Sequence, residues 1–509
     1  MGRTSDIVAG ITRDGGPASP LWPPHLRRGL AVTALVACSA IAAACSSSGG
    51  GTASPSASPN APIKVGYLLP LTGIFTKNGT SEQDGFKLGL KHFGTSVDGH
   101  PIQVTYANDQ GDPTVSLSMA RQLVTADHVQ VMEGPLISSA IAVVAPYVLG
   151  KGIPEDDLYL ASPLQATAYN HYGAGFTSGW DGFAPSTVGA KWAYNTMHWR
   201  HVTTVGLGIS FGWQGVGGFA TQFKQLGGKI DKMIWVPSDA VDMSSYVSSI
   251  PPSTQAVWVV LSGSQAANFV NTYASFGLKK KIPLMGITTL TDQAALPAEK
   301  PSAAAGVITD SQYCDANPSP VNQQFANAYH ATYGVYPSYY SEAGYTKAEI
   351  LISALKSLHG NVTSEKALSN AMRAVKITAP RGPVSLNRAT WSPVQNEYIC
   401  KVENVGGTMR NVPIMTVPNV PPWARSRWRP GRRCSPRPPS ARPHRDLRGP
   451  SSPIAWASKS PRPASRGSGA GRTGRGRTRR PRSPRGTRKG HAAPVLTPRR
   501  SHPGAGGRP

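Results

Sequence analysis

Across residues 63–417, short β-rich runs alternate with longer stretches of helical period. IKVGYLL, IQVTYA, VQVMEG, LYLA, TTVGLG, AVWVVL and IPLMG have strand length and strand composition. Between them Phe86, Leu90 and Phe93 recur at helical spacing, as do Val115, Met119 and Leu123. The second of these helices is opened by Asp112 as N-cap, with Pro113 in its first turn. This alternation predicts an α/β class with parallel sheets and crossover helices. A body of about 355 residues exceeds the usual size of one core, so two lobes are expected. GWDGFA at residues 179–184 breaks the alternation, and a Pro/Ala-rich break follows around residues 296–305. Later, VNQQFANAYHATYG and EAGYTKAEILISALKSL read as helices and NEYICKV as a late strand. Such breaks predict a chain that passes between lobes more than once.

Upstream of the body the pattern changes. Arg27 and Arg28 precede residues 30–44, fifteen almost wholly apolar positions ending in small residues. That is the layout of a signal peptide, and fifteen falls short of the roughly twenty residues a membrane-spanning helix needs. The seam AAACSSSGGG resembles the lipobox of bacterial lipoproteins, in which Cys45 would receive a diacylglycerol and become the mature N-terminus. Cys38, in LVAC, is the alternative, but it leaves an apolar core of only eight residues; a plain secretory signal with an incidental cysteine is the other reading. Residues 46–61, rich in Ser, Gly, Ala and Pro, then form a flexible tether spanning roughly 20–25 Å. The protein is expected to be exported and held on the outer face of the cell membrane by a lipid on Cys45.

Charge divides the chain unevenly. Of 52 Lys and Arg, 24 fall after Val420, against 1 of 26 acids, so the tail holds nearly all of the net charge of +26. That tail, residues 421–509, is Arg-, Pro-, Gly- and Ser-rich without apolar periodicity, and it is expected to be disordered. An Arg-rich arm can neutralise phosphates. No aromatic interleaving supports nucleic-acid binding here, and the text is what a shifted reading frame in a GC-rich gene produces, so the tail is given no role. Of five cysteines only Cys314 and Cys400 lie in the body, where an exported location would allow them to pair. Neither a CxxC nor a Cys/His metal spacing occurs, and His198 and His201 of HWRH read as ordinary residues. No metal or cofactor is expected.

The strand ending near Gly134 leads to Ser138 and Ser139, with a helix expected from Ala140. Open α/β sheets bind ligands at this carboxyl edge, and a helix N-terminus with free N–H groups and hydroxyls can hold a carboxylate without any arginine. The alternative role for one of the two serines is the helix cap. Thr167, in ASPLQAT after the next strand, could add a further donor.

The body resembles the type 1 extracellular solute-binding proteins of ABC uptake systems, in the leucine/isoleucine/valine-binding branch. IKVGYLLPLTGIFTKNG is similar to the family's opening strand and ligand loop, NDQGDPTVSLSMARQLV to its acidic turn and second helix, and VMEGPLISSAIAVVAPY to its third strand and serine-headed helix. SFGWQGVGGFATQFKQLGGKI resembles the start of the second lobe, and FANAYHATYGVYPSYYSEAGYTKAEIL the late paired helices. The resemblance implies two doubly wound parallel-sheet lobes joined by three crossovers and closing on a solute, with residues 62–180 and 308–383 in the first lobe and 181–307 and 384–418 in the second. It implies polar or aromatic ligand contacts at Asn78, Trp213, Ser262 and Tyr340, a small-molecule solute, ABC permease subunits as partners, and a monomer. Tyr340, beside Tyr339, could equally be core on a helix face. One departure is informative: where amino-acid binders of this family carry an acid after the strand matching IPLMG, this chain reads Ile287, Thr288, Thr289. A buried ammonium without an anion costs several kcal/mol. The expected solute is therefore a small organic acid or amide, aromatic in one version, with Thr288 among its contacts, unless Asp292 or Asp181 reaches in.

Two rival readings use other features. GISFG at residues 208–212 matches the G-x-S-x-G nucleophile elbow of α/β-hydrolases, with Ser210 as nucleophile. Its glycines predict a helix starting only near Phe219, too late for an elbow, so an enzyme is not expected. A ligand-sensing module of the same fold is the other, and the tether favours transport over it.

Overall fold

The strand β1 (Ile63–Leu69) has six of its seven residues buried, because it lies inside a sheet covered on both faces. This computed structural model describes residues 60–160 and 163–422; Cys38, Cys45, nearly all of the tether and the basic tail lie outside the described residues. β1 is joined by β2 (Ser96–Val97), β3 (His100–Asn108), β4 (Val131–Glu133), β5 (Glu155–Leu160) and β6 (Gly175–Asp181) in the order β2-β3-β1-β4-β5-β6. All pairings are parallel except that of β2 with β3. The strand order reverses at β1, which opens a crevice at the carboxyl ends of β1 and β4.

A second sheet contains β7 (His201–Leu207), β8 (Lys229–Val236), β9 (Val257–Val260), β10 (Leu284–Ile287), β11 (Ile308–Ser311), β12 (Ile377–Ala379), β13 (Gly382–Leu386), β14 (Pro393–Val405) and β15 (Thr408–Val420). Its order is β12-β13-β14-β11-β10-β9-β7-β8, with β15 paired to β14. From β8 to β11 the pairing is parallel, and it turns antiparallel where β14 joins β11. Every strand after β6 belongs to the second sheet, and between β11 and β12 the chain returns to pack the helix Tyr339–Ser357 against the helix Thr76–Phe93.

Three sequence expectations move. Residues 179–181 of the expected break belong to β6. Gly179 is there because a Cβ would lie 2.3 Å from the Leu158 carbonyl oxygen, a demand of close strand approach rather than of a turn. The return to the first lobe, expected at 308, falls later, since β11 pairs in register with β10 and β14. β15 was unread because Pro413 and Pro418 break its pattern; it tolerates them as an edge strand, and the Gly406–Gly407 turn, with φ of 60° and 89°, closes its hairpin with β14.

The Asp112 cap forms as expected, its carboxylate accepting from the Thr114 and Val115 N–H groups at the start of Pro113–Thr125. Two helices cross beneath the crevice, Thr76–Phe93 and Tyr339–Ser357, and glycines bring their backbones together. A Cβ on Gly85 would sit 1.9 Å from the Ser341 oxygen, and one on Gly344 2.1 Å from the Glu82 oxygen. On the same helix, buried Lys347 lies 3.3 Å from Glu82 Oε1 and 3.6 Å from Glu133 Oε2, and donates to the Asp156 carbonyl at 2.7 Å. Buried Arg381 donates to Glu342 Oε2 at 2.6 Å and to the Ser178 carbonyl. Cys314 and Cys400 are joined in a disulfide with Cα atoms 6.0 Å apart, tying the loop after β11 to β14 across 86 residues.

Candidate binding site between the two sheets

The segments leaving the carboxyl ends of the strands meet around a cavity of about 40 Å³. From the first sheet, Phe75 and Asn78 follow β1, Leu136, Ile137 and Ser138 follow β4, Leu158 and Tyr159 belong to β5, and Trp180 to β6. From the second, Leu207, Ile209 and Phe211 come from β7 and the helix Ser210–Gln225, Ser262 follows β9, and Thr289 follows β10. Tyr339 and Tyr340 open the long late helix. Five helices, Thr76–Phe93, Ser138–Gly150, Ser210–Gln225, Gly263–Ser275 and Tyr339–Ser357, thus begin at this space, and their positive dipole ends favour an anion there.

The Ser138 turn is built by Gly134, whose φ of 78° and whose approach to the Leu68 oxygen, 2.3 Å from a would-be Cβ, exclude a side chain. The helix starts at Ser138, two residues before the expected Ala140, and Ile137 holds the cap position without a side-chain bond. The Ser138 hydroxyl is therefore no cap. It is 3% exposed, lines the cavity, and accepts from the Phe211 N–H at 3.1 Å across the two sheets. Among the described residues, the Ser138 and Ser139 N–H groups have no hydrogen-bond partner, while those of Ala140 and Ile141 turn back to Ile137.

On the other side, Asn78, Ser262 and Tyr340 close a triangle drawn from three distant parts of the chain. Asn78 Nδ2 donates to Ser262 Oγ and to the Tyr340 hydroxyl, both at 2.9 Å, and the two hydroxyls are 2.8 Å apart. Between triangle and serine turn runs an aromatic wall. Trp180 lies 5.1 Å from Tyr159, 5.7 Å from Phe211 and 6.0 Å from Tyr339, centroid to centroid. Burial pushes the Tyr339 and Tyr340 phenols well above their ordinary range, so both remain protonated donors.

Of the residues singled out by sequence, Asn78, Ser138, Ser262 and Tyr340 come together here. Ser139 is half-buried one position along, and Thr167 is exposed on the helix Pro163–Tyr172; neither lines the space. Trp213 is 55% exposed and outside the lining. The reason is that its helix begins at Ser210, which brings Phe211 to the wall and carries Trp213 past it. Thr288 is buried but accepts from Ser311 Oγ at 2.7 Å; the tight turn Thr288–Leu290 presents Thr289 to the cavity instead. Phe75, Trp180 and Phe211 are not among the residues singled out by sequence, and Tyr339 is read there only as the helix-face neighbour of Tyr340. Only Trp180, at the end of a strand-like run, carried a usable signal.

Asp292 stays behind the wall. Its carboxylate accepts from the Tyr339 N–H at 2.9 Å and the Ala294 N–H at 3.0 Å, and burial raises it to about 7. The Asp181 side chain lies outside the described residues. The described lining holds no Asp, Glu, Lys, Arg or His.

The expected late start of the Ser210 helix is corrected as well. Gly212 and Gly215 do not loosen it: a Cβ would lie 1.9 Å from the Leu207 oxygen at one and 2.9 Å from Val260 at the other, so they let the helix press on the sheet. No histidine among the described residues is hydrogen-bonded to Ser210, so the hydrolase reading gains no support.

A family model described as periplasmic binding protein matches residues 62–407. The Leu/Ile/Val-binding protein homolog 6 of Brucella melitensis is 26% identical over 361 residues, covering 70% of this chain and 91% of that one. A solute binding protein of an ABC transporter from Rhodopseudomonas palustris BisB5, in complex with 3,4-dihydroxy benzoic acid, is 28% identical with a TM-score of 0.67 over 70% of this chain and 98% of its own. A second from R. palustris, in complex with benzoate, is 25% identical with a TM-score of 0.63 over 72% and 98%. Two lobes with parallel-stranded sheets, a space between them fed by five helix starts, and this match agree, and the chain belongs to the periplasmic binding protein family.

Proposed function

We propose that this substrate-binding protein captures a small aromatic carboxylate outside the cell and delivers it to an ABC permease. The observation that carries the reading is the cleft's composition: an aromatic wall beside unpartnered N–H groups at a helix start, with no charged side chain in the described lining. A carboxylate can rest on the Ser138 and Ser139 N–H groups and the Ser138 hydroxyl, with its ring against Trp180, Phe211 and Tyr339. An α-amino acid would bring an ammonium for which this lining offers no anion, at a cost of several kcal/mol. That R. palustris neighbours hold benzoate-type acids supports the same solute class. The lipid on Cys45 would keep the monomeric protein beside its permease.

Isothermal titration of the exported protein tests this. Benzoate-type acids are expected to bind and to raise the melting temperature through mass action, leucine and valine to do neither, and Ser138→Ala to weaken the acids about 10-fold. Tight binding of leucine with no response to any aromatic acid would overturn the proposal. For the anchor, Cys45→Ala is expected to release the protein from the membrane fraction; a variant that stays bound refutes lipidation there.

A further inference from the structure

Three buried polar atoms on the lining lack partners, and they are not alike. Trp180 Nε1 and the Tyr339 hydroxyl can donate, whereas Asn78 Oδ1 can only accept. Their residues are 1%, 2% and 1% exposed. The two donors suit any oxygen of an acid. Asn78 Oδ1 asks for a hydrogen, which a plain benzoate does not have.

The triangle around it refines the demand. Asn78 Nδ2 supplies its hydrogens to Ser262 and Tyr340, and one of those hydroxyls donates to the other at 2.8 Å. One hydroxyl hydrogen of the triangle is then left over. Asn78 and the hydroxyl pair bonded to it thus hold one unused acceptor and one unused donor. A hydroxyl group answers both, since it donates and accepts at the same atom; an aromatic amine donates but accepts poorly, and an ether or halogen donates nothing. The arrangement also orients the solute, because the hydroxyl must reach the triangle while the carboxylate lies at the serine turn.

We infer that the cleft selects, among aromatic acids, those bearing a ring hydroxyl, which donates to Asn78 Oδ1 and accepts from the Ser262–Tyr340 pair; the inference rests on the aromatic-acid reading above. Asn78 is then the specificity-determining residue. Leaving a buried acceptor unsatisfied on closure costs enough that hydroxybenzoates should bind roughly 10- to 100-fold tighter than benzoate.

The test is a calorimetric series on the full protein with benzoate, the three hydroxybenzoates, and the matching fluoro- and aminobenzoates. At least one hydroxybenzoate is expected to bind roughly 10-fold or more tighter than benzoate, with its fluoro analogue, similar in size but not a donor, no tighter than benzoate. In Asn78→Leu the hydroxyl preference is expected to shrink to within about 3-fold. Benzoate or the fluoro analogue binding as tightly as every hydroxybenzoate overturns the inference, and an aminobenzoate as tight as the best hydroxybenzoate overturns the choice of hydroxyl over amine. The wild-type series decides even if Asn78→Leu fails to fold. Silence from every aromatic acid is a different result: it overturns the proposed function, and this inference with it.

Discussion

Replacing Lys347 by methionine tests how the floor of the cleft is held. The ammonium is fully buried within 3.6 Å of Glu82 and Glu133 and donates to the Asp156 carbonyl. Burial pulls its pKa down, but Glu82, Asp156 and Glu133 outweigh that and hold it above the ordinary amine range. Burial likewise pushes Glu133, Glu155 and Asp157 well above the carboxylate range, and Lys347 opposes this in all three. Methionine fills similar volume but leaves the acids without their cation, and breaking a buried pair in this way costs about 3–5 kcal/mol. With roughly 2.1 cal/mol/K of unfolding entropy per residue, a body of about 350 residues should then melt roughly 4–7 °C lower. The decisive assay is urea unfolding at two pH values. The folded pKa values of Glu133, Glu155 and Asp157 lie above their unfolded ones, and further above without the lysine. Protonating them removes the unpaired charge, so the deficit of the variant should be large near about pH 8 and shrink towards about pH 5. A deficit that is the same at both values refutes the electrostatic reasoning and leaves only lost packing.

The wild type should show a related trend. Burial raises Asp109 and Asp156 to about 6, and unfolded carboxylates titrate near about 4. Between those values the native state holds more protons than the unfolded one, so stability falls as pH rises through the window, and differential scanning calorimetry should give a higher melting temperature at about pH 5 than at about pH 8. Removing the disulfide with Cys314→Ser and Cys400→Ser should cost about 2–4 kcal/mol in denaturant titrations while solute affinity holds, since neither cysteine lines the cavity. Phe211→Ala should weaken the aromatic acids about 10-fold or more by calorimetry, and Trp213→Ala should leave them within about 2-fold; the reverse order would restore Trp213 to the wall.

Local signals carried the architecture far. Strand runs, the Asp112 cap and the interruptions announced an α/β chain crossing between two lobes, because burial on both faces and helix capping are written in neighbouring residues. The same signals misled where a glycine answers to the backbone it packs against. Gly179 and Gly212 read as breakers, yet each is set by a carbonyl on a neighbouring strand, Leu158 in one case and Leu207 in the other.

The sequence by itself determined the alternation of elements, the charge-poor body apart from its tail, and the absence of an acid directly after Ile287. Tertiary structure alone decided which side chains share the cleft. Asn78, Ser262 and Tyr340 stand 184 and 262 positions apart when counted from Asn78, yet bond within 2.9 Å, and Thr289 rather than Thr288 faces the space. The physical reason is that strand and helix periods are local, whereas hydrogen-bond partners across a cleft are set by how two sheets stack.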